Sequence, residues 1–217
     1  LGPQTAEYTP HMVQETKDLF DLMGVSWVEA PMEAEGAAAV MCSRGEVAAV
    51  ASQDWDTLLY GSPVMVRNLT SHGTRRFGRM LSAERISLVD TLEAHGITRE
   101  QLVDLGIMVG TDFHPGIRGI GPKTGLKLIR KHGTMEAVAE EKGFELPDDL
   151  GSIRSLFMDH PANEELVPGP RRAVEEGLRS FLQEERGFGE ARVKRALGRL
   201  ADAGRLRSAS QPSLFDF

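Results

Sequence analysis

The chain has 217 residues, of which 41% are hydrophobic and 26% charged, a composition that predicts one substantial domain, or one domain with a small appendage. No segment approaches the roughly 20 apolar residues of a membrane-spanning helix, which argues against a membrane partner. Cys42 is the only cysteine, so an internal disulfide framework is excluded and a reducing cytosol is expected.

Charge is distributed unevenly along the chain. The net charge of −7 argues by itself against nucleic acid as a partner. Residues 1–60, however, contain ten acids and two bases, whereas residues 114–132 contain five bases and no acid. Residues 171–207 contain ten bases and six acids. This arrangement suits a site that holds cations near a polyanion, with solvated charged faces as the alternative.

The first part of the chain predicts an α/β unit in which helices and strands alternate. The apolar run 47–52 is typical of a strand in a parallel sheet covered on both faces. Strands are predicted at 25–30, 47–52 and 63–70, helices at 14–24 (ending at Gly24) and 33–45, and a turn, followed by a further strand, at 71–80.

After residue 82 the pattern is mostly helical. Thr98 and Gln101 have the spacing of a capping box, and Pro122 is suited to the first position of a helix. Helices are predicted at 82–96 with Ser82 as cap, at 98–110, from Pro122 onwards, at 134–141, at 171–186 and at 189–204, with a loop-rich stretch at 142–170 and a flexible tail at 205–217.

Carboxylates follow two of the predicted strands. Glu33 and Glu35 come after strand 25–30, and Asp54 and Asp56 come after strand 47–52. Neighbouring parallel strands would bring all four to one sheet edge, where hard divalent cations such as Mg²⁺ or Mn²⁺ would neutralise them. Taken singly, each pair also suits a turn or a first helical turn. Asp112, at the end of the helix that precedes a glycine-rich turn, is a fifth candidate.

The segment GIRGIGPKTG, residues 116–125, does not fit a phosphate-binding P-loop, because Pro122 interrupts the required spacing. It fits two helices joined by a glycine-rich hairpin that approaches phosphates closely. Such a motif binds duplex backbone without reading sequence, and a plain packing element is the alternative. The candidate DNA-binding residues are Gly119, Gly121, Lys123, Thr124, Lys127, Arg130 and Lys131.

The chain ends in QPSLFDF, the pattern of a short peptide that docks into a sliding clamp. Gln211 would enter a small polar pocket, and a short turn would bring apolar side chains to one side. The candidate clamp-binding residues are Gln211, Leu214, Phe215 and Phe217.

Together, the segments APMEAEG, SQDWDTLLYGSP, VGTDFHPGIRGIGPKTG and QPSLFDF resemble the archaeal and eukaryotic flap endonucleases of the structure-specific 5′-nuclease superfamily. The match keeps order and spacing from about Lys17 to the end. The resemblance implies an α/β fold with a PIN-like parallel-sheet nuclease core (1–112), a helical region with a helix–two-turn–helix DNA-binding motif (113–203) and a clamp-binding tail (204–217).

The resemblance also implies a function. The expected protein is a monomer in the archaeal cytoplasm, associated with the nucleoid, that acts in DNA replication and repair. It would cleave 5′-flap DNA by two-metal-ion hydrolysis, with 5′–3′ exonuclease activity. Flap or branched duplex DNA and the sliding clamp are the implied partners, and no membrane is involved.

The resemblance assigns ligands for two Mg²⁺ or Mn²⁺ ions. Asp54 and Asp56 would hold one ion and Glu35 the other, with Glu33 and Asp112 acting mostly through water. A K⁺ ion at the hairpin would bind the backbone carbonyls of Ile117 and Ile120. A serine common in this turn is Gly116 here, so one hydroxyl ligand is absent.

Two features depart from the family pattern. Roughly the first third of the family, with two further metal-binding aspartates and a helical arch that carries a catalytic lysine and arginine, has no counterpart, and residues 1–16 resemble the end of the arch. Phe217 stands alone where the family usually has two aromatics. We therefore expect weak or no cleavage by this chain alone. A truncated, non-catalytic DNA-binding module tethered to the clamp is the alternative, and a related RNA nuclease is disfavoured by the tail and the duplex-binding segment.

Overall fold

The structure, a computed structural model, describes residues 9–71, 73, 75–76, 78–161 and 173–209. The side chains of residues 75, 76, 79 and 203–209 lie outside this description. The chain divides into a unit of residues 30–164 and a unit formed by residues 1–29 and 165–217. The functional division predicted after residue 112 falls inside the first unit and stays a prediction.

The described ranges contain α-helices throughout and short strands in the first half. The helices are α1 (Pro10–Met23), α2 (Ala34–Ser43), α3 (Asp56–Leu59), α4 (Leu88–His95), α5 (Arg99–Val109), α6 (Pro122–His132), α7 (Met135–Lys142), α8 (Leu150–Met158), α9 (Glu175–Arg179), which a π-helical segment (Ser180–Glu185) follows, and α10 (Glu190–Ala209). The strands are β1 (Val50–Ala51), β2 (Val64–Arg67), β3 (Arg75–Arg76), β4 (Arg79–Met80) and β5 (Glu84–Ser87).

The central sheet of the described chain is mixed. β1 pairs in parallel with β2, placing Val50 opposite Met65, and β2 pairs antiparallel with β5, placing Met65 opposite Ile86. β3 and β4 form a separate antiparallel pair. The predicted α/β class is confirmed, with one parallel and one antiparallel pairing in the central sheet rather than parallel pairings alone.

The predicted strand at 25–30 does not form. Lys17 on α1 donates a hydrogen bond of 2.6 Å to Glu29 and lies 4.8 Å from the centre of the Trp27 ring, whose Nε1 donates to Asp21. The side chains of this segment therefore pack back onto α1 instead of aligning the backbone with a sheet. The prediction that Glu33 and Glu35 follow a strand is wrong for the same reason.

Two other predictions for the sheet region need correction. The strand expected at 47–52 contains only Val50 and Ala51, and Ala51 is exposed, so the run is not covered on both faces. The helix expected at 82–96 begins with β5, because pairing with β2 takes up its first residues. Its cap is therefore Ser87, whose Oγ accepts a hydrogen bond of 3.3 Å from the Asp90 amide, and not Ser82.

The second half follows the predictions more closely. The capping box of Thr98 and Gln101 is present, and Pro122 occupies the start of α6. α8, however, lies within the predicted loop 142–170, where Ile153 and Phe157 fill one buried face. α10 continues through residues 205–209, which were expected to belong to the tail.

The core of unit 30–164 is built around α5. Ile107 and Met108 of α5, Ile129 of α6 and Phe157 of α8 are all fully buried in one apolar cluster. Close approach of α6 to α5 depends on Gly125, because a Cβ there would lie 2.5 Å from Cδ1 of Leu105. α5 is thus the scaffold on which the segments on both sides of it are placed.

The other unit packs α9 against α1. The Val174 amide donates a hydrogen bond of 2.8 Å to the Leu22 carbonyl, and Arg186 forms an ion pair with Glu15 of α1. Leu178 is buried. No helix in the described residues is long and apolar enough to cross a membrane.

An ion-pair network around the buried Asp104 fastens α8 to α5 and α7. Both oxygens of Asp104, which is 4% exposed, accept hydrogen bonds from Arg154, at 2.7 and 2.9 Å. Arg154 also binds Glu136, at 2.5 and 2.8 Å, and lowers the pKa of that carboxyl to about 2. The backbone amide of Met135 also donates a hydrogen bond of 2.9 Å to the Asp104 carboxylate.

We predict that Arg154→Met lowers the free energy of unfolding by about 3–5 kcal/mol, because it leaves the buried Asp104 carboxylate unpaired. Urea titration measures the change. Arg179→Met is the matched control, because Arg179 and Glu175 form an exposed pair that contributes about 1 kcal/mol or less. Equal effects of the two substitutions would contradict the role given to the network.

The same network predicts how acid affects stability. Because the folded-state pKa of Glu136 lies below the ordinary value of 4.5, its stabilising contribution is complete above about pH 4.5 and is lost as the pH falls towards 2. Glu136→Gln should flatten the loss of stability over this interval, measured as the urea midpoint against pH. An unchanged slope would contradict the assignment.

Candidate metal and nucleic-acid site

The two glutamates of the site lie at the start of α2. Glu33 is the N-cap residue and Glu35 lies in the first helical turn, where the partial positive charge of the helix N-terminus stabilises carboxylates. Gly36 follows them, and a Cβ there would lie 2.5 Å from Cδ2 of His160. The imidazole therefore packs directly against the backbone of the turn that carries the glutamates.

A short loop after β1 holds the two aspartates. The Ser52 Oγ accepts a hydrogen bond of 3.0 Å from the Asp54 amide and contacts Oε1 of Glu35 at 3.5 Å. Asp54 Oδ1 in turn accepts a hydrogen bond of 3.0 Å from the Asp56 amide, at the start of α3. Ser52 thus connects the aspartate pair to the glutamate pair.

The four other predicted carboxylates lie close enough to Asp56 for their charges to act on it. Its pKa is raised to about 6, first by partial burial and then by the negative charges of Asp54, Asp112, Glu35 and Glu33. No three Asp, Glu, His or Cys side chains in the described ranges are close enough to share one metal ion. The carboxylates therefore share an electrostatic neighbourhood, without forming a single coordination shell.

The chemistry of these donors fits a hard divalent cation. All five side chains offer carboxylate oxygens, which Mg²⁺ and Mn²⁺ prefer. The pKa of Asp56 is raised by burial and then by four neighbouring negative charges, and a dication would relieve the repulsion of those charges. Asp54 and Asp56 could hold one such ion, and Glu35 a second.

Three aromatic side chains pack together next to the carboxylates. The ring of Tyr60, which is buried, lies 4.9 Å from that of Phe157 and 5.1 Å from that of His160. Burial raises the pKa of Tyr60, and Glu33 and Asp56 raise it further. Neither ring nitrogen of the buried His160 has a hydrogen-bond partner among the described residues. These buried rings next to the carboxylates weaken the screening of their charges by water.

Sequence reasoning missed several residues that hold the site. Arg99 donates hydrogen bonds to the carbonyls of Leu59 (3.4 Å) and Phe157 (2.7 Å), and so ties the end of α3 to α8. Ser52 and Tyr60 stand inside the segment SQDWDTLLYGSP, which was a detectable signal. Arg99 and His160 carry no local pattern that would have identified them.

The glycine-rich hairpin connects α5 to α6 as predicted. The Thr111 amide and carbonyl both pair with His114, and the Ile117 amide donates to the Met108 carbonyl at 2.7 Å. Gly116 has φ +84°, and a Cβ there would lie 2.5 Å from the Val109 carbonyl oxygen. The hairpin in this chain therefore requires glycine at 116, where the family commonly has serine.

The tip of the hairpin is open to solvent. No atom of the described chain would lie within 4 Å of a Cβ added at Gly119 or Gly121, so a phosphate could approach the backbone closely. The carbonyl of Ile117 already accepts a hydrogen bond of 2.9 Å from the Ile120 amide. Asp112, which is exposed, belongs both to the carboxylate group and to the start of this hairpin.

α6 presents its cations to solvent. Lys123, Thr124, Lys127 and Arg130 are exposed, whereas Gly125, Leu128 and Ile129 are buried. Lys131 is also exposed, but Glu141 binds it at 3.0 and 3.2 Å and neutralises part of its charge. The predicted clamp-binding residues, Gln211, Leu214, Phe215 and Phe217, lie outside the described residues.

Comparison with known proteins gives a consistent result. The XPG I-region family model matches residues 24–112. Flap endonuclease 1 of Methanoculleus marisnigri is 43% identical over 201 residues, covering 91% of this chain and 59% of that protein. Flap endonuclease 1 of Pyrobaculum arsenaticum is 42% identical over 215 residues, covering 95% of this chain and 62% of that protein.

Solved structures show the same relationship. The chain is similar to flap endonuclease-1 from Methanococcus jannaschii, with a TM-score of 0.78 and 35% identity over 92% of this chain and 60% of that one. The catalytic core of Rad2 in complex with DNA substrate has a TM-score of 0.76 at 20% identity, covering 89% of this chain and 69% of that chain, and shares the fold. The resemblance found in the sequence is thereby confirmed: residues 24–112 match the XPG I-region model, and the chain is similar to flap endonucleases, spanning about three fifths of the length of those it matches.

Proposed function

We propose that this chain carries the metal-binding and duplex-binding part of a structure-specific nuclease that cleaves 5′-flap DNA by hydrolysing a phosphodiester. The observation that supports this most strongly is the convergence of four carboxylates on Asp56. Asp112 links that group to a hairpin and helix with exposed cations. A DNA backbone bound by α6 would therefore pass close to the five carboxylates. Because both are negatively charged, divalent cations are needed between them.

Two Mg²⁺ or Mn²⁺ ions are part of the proposal. Asp54 and Asp56 would hold one ion and Glu35 the other, with Glu33 and Asp112 acting through water. Bound there, such ions supply Lewis acidity at the phosphoryl oxygens and a source of hydroxide at neutral pH.

The chain's own residues position this chemistry. Ser52 bridges Asp54 and Glu35 and so fixes the separation of the two carboxylate pairs. The buried rings of Tyr60 and Phe157 lie 4.9 Å apart, and Tyr60 lies near Glu33 and Asp56, where a buried ring strengthens the electrostatic interactions of the carboxylates.

Duplex binding would use the phosphate backbone alone. The N-terminus of α6 and the open backbone at Gly119 and Gly121 attract a phosphate. Lys123, Lys127 and Arg130 add charge, Thr124 a hydroxyl, and Lys131 a smaller contribution because of its pairing with Glu141. The backbone carbonyls of Ile117 and Ile120 would hold a K⁺ ion, which would supply further positive charge to the DNA backbone.

The remaining partners follow from the relatives and the tail. The relatives named above come from archaea, which supports an archaeal cytoplasmic protein acting on DNA at the nucleoid, with 5′–3′ exonuclease activity as a second reaction. Docking of residues 211–217 into a sliding clamp would tether a monomer to replicating DNA.

We predict slow, Mg²⁺-dependent cleavage of a 5′-flap substrate by this chain under single-turnover conditions with protein in excess. Asp54→Asn combined with Asp56→Asn should reduce the rate by about 100-fold or more while flap binding is retained, because the ion loses two of its ligands. Gel analysis of end-labelled substrate measures both quantities.

The control for this prediction is Asp148→Asn combined with Asp149→Asn, which removes the same two charges from an exposed loop. That variant should keep the wild-type rate. Cleavage by the Asp54/Asp56 variant at the wild-type rate would refute the metal assignment. Tight flap binding without any wild-type cleavage would instead favour the non-catalytic clamp-tethered module.

For duplex binding we predict that Lys123→Ala, Lys127→Ala and Arg130→Ala together weaken binding to duplexes of different sequence by the same factor. The slope of log K against log salt concentration should fall by about 1 for each cation removed. Fluorescence anisotropy at several salt concentrations measures this. Lys131→Ala should change the slope less, and a sequence-dependent loss would indicate base recognition and contradict the proposal.

A further inference from the structure

Trp55 is an exposed aromatic residue placed between Asp54 and Asp56. It is the N-cap residue of α3, and 51% of its surface is accessible. The carboxylates on either side are the proposed ligands of a divalent ion that would bind a DNA phosphate. Any nucleotide whose phosphate reaches Asp54 or Asp56 therefore also comes within reach of the indole ring.

Arg67 of β2 holds this ring in place. Its guanidinium carbon lies 4.2 Å from the centre of the Trp55 ring, a cation–π geometry. Nη2 of Arg67 donates a hydrogen bond of 3.4 Å to the carbonyl of Gln53, which anchors the guanidinium to the same loop. One face of the indole is thus covered by a fixed cation, and the accessible surface remains available to a planar ligand.

We propose that Trp55, backed by Arg67, stacks on an unpaired nucleobase next to the phosphodiester that is cleaved. This inference rests on the proposed nuclease function and deepens it. Bases within a duplex have both faces covered by their neighbours. Only a base that is displaced at a junction has a free face to stack on the indole ring. Stacking accepts every base, which suits recognition of DNA structure rather than sequence, and the guanidinium adds charge that attracts the phosphate backbone.

The chain offers a direct optical test, because Trp27 and Trp55 are its two tryptophans. Trp27→Phe leaves Trp55 as the single reporter, and Trp27 lies on the segment that packs against Lys17 of α1. In EDTA, where metal-dependent cleavage is prevented, a 5′-flap oligonucleotide should quench the Trp55 emission. A nicked duplex of the same sequence without a flap should quench it much less.

Affinities measured by anisotropy supply the second readout. Trp55→Ala should weaken flap binding by about 5- to 150-fold, the range measured for loss of one stacked base, and Trp55→Phe should retain most of the affinity. Replacing the unpaired nucleotide at the junction with an abasic one should remove the difference between wild type and Trp55→Ala. Arg67→Gln should weaken flap binding less than Trp55→Ala does, and the abasic nucleotide should remove this difference from wild type as well.

The outcomes separate this inference from the function on which it rests. Flap binding with unchanged Trp55 emission, or a Trp55→Ala loss that persists on abasic DNA, would overturn the stacking role and leave the nuclease proposal standing. Failure of the wild type to bind flap DNA at all would overturn both. Wild-type melting temperature for Trp55→Ala is the expected check that the exposed substitution leaves the fold intact.

Discussion

Mutual repulsion between Asp56 and the four carboxylates near it is the constraint on which the rest of this structure depends. Partial burial and then four negative charges raise the pKa of Asp56 to about 6, so the arrangement is costly unless its neighbours compensate for it. The N-terminus of α2 stabilises Glu33 and Glu35, and the loop amides bind Asp54 and Ser52. The helix N-terminus and the loop amides compensate only part of the negative charge, and divalent cations are suited to neutralise the rest.

The helices of unit 30–164 keep this charged group from spreading apart. Arg99 joins the end of α3 to α8, and the Arg154 network joins α8 to α5 and α7. α5 then continues through Asp112 into the hairpin and α6, whose cations face solvent. One rigid path of packed helices therefore relates the carboxylates to the surface proposed to bind duplex DNA.

Sequence reasoning named the five carboxylates that the structure brings near one another, and it predicted the hairpin between two helices, because motifs of charged residues and glycines are visible locally. It placed the glutamates at the start of a helix, as the structure does, but after a strand that does not form, since the side chains of 25–30 pack on α1 through Lys17. It missed β5 because Ile86 and Ser87 pair with a strand some 20 residues earlier, and a long-range pairing leaves no local periodicity. Arg99 and His160 were missed because only tertiary packing gives them their role.

The most direct test of this account is an anomalous-scattering measurement on crystals of the chain soaked in Mn²⁺. The account predicts a strong peak with oxygens of Asp54 and Asp56 about 2.1–2.2 Å away, and loss of that peak in the Asp54→Asn, Asp56→Asn variant. Peaks confined to other parts of the surface, with none among Glu33, Glu35, Asp54, Asp56 and Asp112, would contradict it.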